Sequence, residues 1–355
     1  MLTIHAGLHK TGSSAIAQYF TKATADRKHR LGFVRGRSPE FEIPRSAAQW
    51  RDLTLGLLET HGDAVVAIDG ILGSPWGESE MYLGAKERAE VLREAFTGRT
   101  DFQVVIYLRP QYQWFESAYT QMIQMGNSLP PQQFVDRHLD ARYSRYSSLV
   151  DDLKTVFGAD RLILRAYTEG MNSVADFLRL VDLSAASEAD RLPQANVSIN
   201  PAQVELLRRI NALTERPGPG SPSRLFLQEL PLKEQRKTLS VFPEDLQQEL
   251  TKLTQSDWQT LTLKVQSTKF AQPEAFQALA DEAANAKIRP YIGDPANQEE
   301  VIREATQVLI TSLPLAWQQR NPISRRALRK MRSDPRDLVP SVRRILRRKV
   351  RAVLS

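Results

Sequence analysis

The chain has 355 residues, with 48 Lys+Arg against 41 Asp+Glu, 41% hydrophobic residues and no Cys. This composition excludes disordered, collagenous and disulfide-scaffolded classes, and the absence of thiols excludes thiolate zinc sites, iron–sulfur clusters and a thiol nucleophile. The net charge of +7 is uneven: residues 325–355 hold 12 basic and 2 acidic side chains, which leaves the remainder at −3.

Leu2–Ala6 reads as a first strand with no basic or long apolar leader around it, and no apolar run reaches 18 residues, so a protein kept in the cytoplasm is expected. A helix is expected from Ser13 or Ser14, burying Ile16, Tyr19, Phe20 and Ala23. Leu31–Val34 is a second strand, followed by a helix over Ala47–Leu58. Ala64–Ile68 is a third, leading through the Gly70–Pro75 loop into a helix over Glu78–Phe96. Phe102–Leu108 runs almost directly into a helix over Gln111–Met125, and Leu162–Leu164 is a fifth strand. Beyond it the pattern is nearly all helical: Val174–Val181, Pro201–Leu213, Pro243–Leu253 and Glu299–Leu309, with a breaker cluster at Arg216–Pro222.

This β/α alternation predicts a three-layer α/β fold, a parallel sheet covered by helices on both faces, with ligands beyond the carboxyl ends of the strands. The expected division is an α/β domain over 1–290, with a helical flank at 216–290, and a helical extension over 291–355 that ends in the basic tail 325–355.

The step from the first strand to the first helix, Ile4-His5-Ala6-Gly7-Leu8-His9-Lys10-Thr11-Gly12-Ser13-Ser14, has the chemistry of a phosphate cradle. Glycines let amides turn toward an anion, the helix N-terminus adds partial positive charge, and hydroxyls and a lysine complete the shell. Gly7 and Gly12 share the spacing of G-x-x-x-x-G-K-[ST], but Ser13 follows the second glycine and the lysine sits inside the loop at Lys10. Arg109 ends the fourth strand on the same edge, where a guanidinium suits bidentate phosphate recognition. The plainer alternatives are a tight turn with a solvated lysine and an arginine in an edge salt bridge.

Together His9-Lys10-Thr11-Gly12-Ser13-Ser14, and Arg109 with Ser117 eight residues on, resemble the sulfotransferase family. Segments at 142–158, 162–167 and 196–198 resemble bacterial members, so the likeness covers about residues 1–215, while the R-K-G-x-x-G-D-W motif of the cytosolic branch is absent. The resemblance implies a sheet of P-loop-nucleotide-hydrolase-like topology and in-line transfer of a sulfuryl group from 3′-phosphoadenosine 5′-phosphosulfate (PAPS), with no metal required. It implies that Lys10, Thr11, Gly12, Ser13 and Ser14 hold the 5′-phosphosulfate, that Lys10 counters charge on the bridging oxygen, and that Arg109 and Ser117 clamp the 3′-phosphate. The general base is expected at Asp69, with His9 and Glu78 as further candidates; a loop cap and a loop spacer are the alternatives for Asp69 and His9.

The implied acceptor is a hydroxyl or amine of a carbohydrate, lipid or small metabolite. Two other functions stay open: a P-loop kinase, in which the strand ending at Asp69 would support Mg²⁺, and a sulfotransferase-like module without turnover. Trp76, Trp114 and Tyr119 either line an acceptor pocket or belong to the core. The tail, basic with apolar positions at helical spacing over Val342–Leu354, is expected either to touch an anionic membrane face peripherally or to be a solvated helix. No motif for nucleic acid accompanies its charge.

Overall fold

The computed structural model describes residues 1–25, 31–35, 43–68, 70–75, 81–168, 170–181, 199–212, 239–268 and 272–294. Expectations that fall on Asp69, on Trp76 and Glu78, on the Arg216–Pro222 cluster, on the 299–309 helix and on the basic tail lie outside these residues.

Runs rich in β-branched and aromatic residues form the strands. In chain order the elements are β1 (Leu2–His5), α1 (Ser13–Ala25), β2 (Leu31–Arg35), α2 (Ala47–His61), β3 (Asp63–Ala67), α3 (Ala85–Ala95), β4 (Phe102–Leu108) and α4 (Gln111–Gln124). There follow α5 (Pro131–Leu139), a 3-10 turn (Arg142–Ser144), α6 (Tyr146–Phe157), β5 (Leu162–Ala166), α7 (Ser173–Leu180), α8 (Pro201–Ala212), α9 (Glu244–Val265) and α10 (Pro273–Ala284). The five strands form one sheet in the order β2-β3-β1-β4-β5, and every pairing is parallel.

β4 is buried along its whole length, as a strand covered on both faces must be. On one face Ile16 and Phe20 of α1 and Val174, Phe177 and Leu178 of α7 close over Val65, Ala67, Val105, Tyr107 and Ile163. On α7, Asp176 accepts a bond from Tyr107 Oη at 2.7 Å and from Arg165 Nε at 3.0 Å, tying this helix to β4 and β5. Elsewhere α3 packs against both α2 and α6. The result is a three-layer α/β arrangement.

The chain leaves β1 toward β2 on one side and leaves β4 toward β5 on the other. Connections that part in this way open a crevice beyond the carboxyl ends of the two neighbouring strands. The β1–α1 loop and Arg109 both stand at those ends.

Two helix boundaries depart furthest from the expectation. α3 starts at Ala85 rather than Glu78, because Tyr82 (φ +56°) and Gly84 (φ +78°) take left-handed conformations that cannot continue a right-handed helix. α9 runs on to Val265, well past Leu253. The apolar spacing of α5, α6 and α10 went unread among the expected helices.

The described residues fall into two compact units, one drawn from Met1–Ala118, Val135–Val197 and Gln248–Lys287, the other from Tyr119–Phe134, Ser198–Gln247 and the chain from Ile288. Within the second, Ala202, Leu239 and Ile292 form a small core, and Glu205 binds both Arg208 and Arg209 at 2.7 Å.

In the first unit α6 has no capping side chain at its own N-cap, Arg145. Asp257 of α9 serves instead, accepting from the amides of Tyr146 (2.7 Å) and Ser147 (3.2 Å) and from Gln111 Nε2 (2.6 Å). Trp258 Nε1 then donates to Gln111 Oε1 at 2.7 Å. Burial pushes the Asp257 carboxyl above its ordinary range even against these bonds, whose donors favour the charged form.

Candidate anion-binding site

β1 ends at His5, and seven residues separate it from α1, which begins at Ser13. The connection is anchored where Ala6 N donates to Val105 O at 3.1 Å, and it closes where the amides of Ala15 and Ile16 bond to Gly12 O. Thr11, fully buried, donates its hydroxyl to Leu8 O at 2.6 Å, and Ser13 Oγ lies 3.5 Å from the same oxygen. These bonds fold the loop back on itself. Among the described residues the amides of Gly7, Leu8, Thr11, Gly12 and Ser13 then have no hydrogen-bond acceptor. Unpaired amides gathered at a helix N-terminus are the donor set that an oxyanion satisfies.

The two glycines have separate steric reasons. A Cβ at Gly7 would overlap Ser13 Oγ and crowd the His5 ring. At Gly12 the backbone is left-handed (φ +87°), and a Cβ would lie 2.7 Å from Ser173 Cβ and overlap Ser173 Oγ. Lys10, also left-handed at φ +69°, keeps its conformation against a cost of about 1–2 kcal/mol. Backbone strain of this sort persists only where neighbours enforce it.

Three side chains from other elements supply that enforcement. Tyr82, from the turn before α3, accepts the His9 amide on its hydroxyl at 2.9 Å, and His9 Nδ1 lies 3.4 Å from the same oxygen. Trp114 of α4 donates Nε1 to His9 O at 2.9 Å. Arg109 donates Nη1 to Lys10 O at 3.3 Å, with its guanidinium over the Tyr167 ring at 5.7 Å. Below this layer Tyr146 is fully buried, its phenol pushed up by burial and by the neighbouring Tyr82 and Asp257, against the pull of Arg109. Tyr146 Oη has no hydrogen-bond partner among the described residues.

The structure thus brings His9, Lys10, Thr11, Gly12, Ser13, Ser14 and Arg109 together. Thr11 is a lock on the loop, since its proton is committed to Leu8 O. Ser117 lies partly buried on α4, and its hydroxyl makes no hydrogen bond among the described residues, to Arg109 or otherwise. Trp114 and Tyr119 are core residues rather than pocket lining. Tyr82 and Ser173 were not foreseen: Tyr82 lies in a segment without periodicity, and Ser173 reads only as a helix start. No group of three or more His, Asp or Glu that could hold a metal occurs among the described residues, and none of their helices is long and apolar enough to cross a membrane.

Tyr82→Phe removes the acceptor of the His9 amide and keeps the ring. We expect it to destabilise the fold by about 0.5–1.5 kcal/mol, the net worth of one half-buried hydrogen bond, read as a lower midpoint in urea.

No family model matches the chain, and no solved structure matches it. A stretch of 113 residues is 26% identical to an uncharacterized protein of Archaeoglobus fulgidus, covering 31% of this chain and 30% of that protein. The chain therefore spans less than a third of the length of the curated relative it resembles.

Proposed function

We propose that the protein is a sulfotransferase that moves a sulfuryl group from PAPS to a hydroxyl or amine of a carbohydrate, lipid or small-metabolite acceptor. The observation that carries this reading is the β1–α1 loop: five amides without an acceptor among the described residues, a helix N-terminus behind them and Lys10 on the loop itself. The strand order, with β1 between β3 and β4, supports a P-loop-type sheet for the same site.

The loop amides and Ser13 and Ser14 bind the 5′-phosphosulfate, and Lys10 neutralises the charge that grows on the bridging oxygen as the sulfur–oxygen bond breaks. The acceptor proton passes to a base at His9 or Asp69. A guanidinium has five N–H donors, so the bond to Lys10 O does not exhaust Arg109, which holds the loop and reaches the 3′-phosphate with Ser117. The basic tail over 325–355 is either a peripheral contact with an anionic membrane face or a solvated helix.

Calorimetric titration with adenosine 3′,5′-bisphosphate, 5′-AMP and Mg·ATP tests this. The bisphosphate is expected to bind most tightly, in EDTA as well, and Arg109→Ala to weaken it by about 10- to 100-fold, equivalent to ~1.5–3 kcal/mol for a charge-assisted hydrogen bond. Tighter binding of Mg·ATP would move the assignment to a kinase.

A further inference from the structure

The N-terminus of α7 stands against the loop, and its first residue is aimed at Gly12. Ser173 is 5% exposed, its Oγ occupies the space a Gly12 Cβ would take, and it makes no hydrogen bond among the described residues. The helix is otherwise capped: Asn172 Oδ1 accepts the Ala175 amide at 3.1 Å, and Asn172 O accepts the Asp176 amide at 3.0 Å. That leaves the amides of Ser173 and Val174 without acceptors among the described residues. Two helix N-termini, α1 and α7, therefore meet at one glycine. Three donors of the second are unspent, one of them the hydroxyl of a residue that is 5% exposed. A hydroxyl so placed, with no protein acceptor, keeps its proton available to an anion held at Gly12.

We propose that Ser173 and the first turn of α7 form a second arm of the anion site, donating to an oxygen of the same phosphoryl or phosphosulfate group that the loop holds. This rests on the reading of the loop as an anion cradle and extends it. It also gives Gly12 a role beyond backbone freedom: without a side chain there, the two helix ends approach closely enough to share one anion. Both dipoles then act on the group that gains charge when the donor is cleaved.

The arm serves the group common to 5′-AMP, inorganic pyrophosphate and adenosine 3′,5′-bisphosphate, so its loss must weaken all three alike. Ser173→Ala is expected to raise the dissociation constants of the three probes by one common factor of about 10 or more in calorimetry, with the melting temperature unchanged. Ser173→Thr, which keeps the hydroxyl, is expected to bind all three within about threefold of the native protein. Unchanged binding in Ser173→Ala, or a loss confined to the bisphosphate, overturns the proposal. If the native protein binds 5′-AMP and the bisphosphate equally, the donor assignment falls, while a common loss in Ser173→Ala still upholds the second arm.

Discussion

Lys10→Gly is expected to lower donor cleavage about 10²- to 10³-fold, the usual effect of removing one preorganised charge from a site of transition-state charge development, without lowering the melting temperature. The two halves of that result have different causes. Lys10 holds a left-handed backbone, which a glycine adopts without strain, so relief of about 1–2 kcal/mol offsets the extra chain entropy that glycine brings to the unfolded state. The ammonium is lost all the same. Lys10→Ala keeps the strain and loses the charge, so the two variants should share the kinetic defect and differ in stability. Release of adenosine 3′,5′-bisphosphate from PAPS, with saccharide, phenol and amine acceptors supplied, measures the first. Thermal unfolding measures the second. Native rates in Lys10→Gly would remove Lys10 from the chemistry.

Asp257→Ala is expected to destabilise the fold by about 3–5 kcal/mol, since it strands two buried amides and the Gln111 side chain together. Asp257→Asn, which keeps an accepting oxygen, should cost less and isolates the charge. Because burial raises the folded carboxyl above its ordinary 3.8, the folded protein binds this proton more tightly than the unfolded chain does. The native protein should therefore lose stability relative to Asp257→Asn as the pH rises from about 4 through the folded value. Urea unfolding of both proteins between pH 4 and pH 7 reads the difference. A gap that widens in the opposite sense would mean that the three donors outweigh the desolvation.

The strands were legible because each is a short β-branched run that the sheet buries on both faces, and Phe102–Leu108 coincides with β4 end to end. The loop was legible because glycine spacing and a strand on its left leave few alternatives. What stayed hidden depends on contacts distant in sequence. Asp257 sits in an amphipathic helix, where an aspartate reads as a solvated position, yet it is 2% exposed and joined to groups 110 or more residues away. Tyr82 has no periodic neighbours to mark it, and its role arises from a hydrogen bond to a residue 73 positions earlier. Arg109 was placed correctly at the strand end, but its bond to Lys10 O shows a guanidinium turned toward the loop backbone, a detail that residue type alone does not carry.

The bond network around Asp257 also sets an order of events during synthesis. The β1–α1 loop is among the first residues made, but α4 and α6, whose Gln111 and Tyr146 stand beside its tethers, wait for a carboxylate at residue 257. At about 5–20 residues per second, that residue follows the loop by roughly 10–50 s. Through that interval the first turn of α6 lacks its acceptor, so the time this part of the fold spends incomplete is set by the half of the protein that carries none of its motifs.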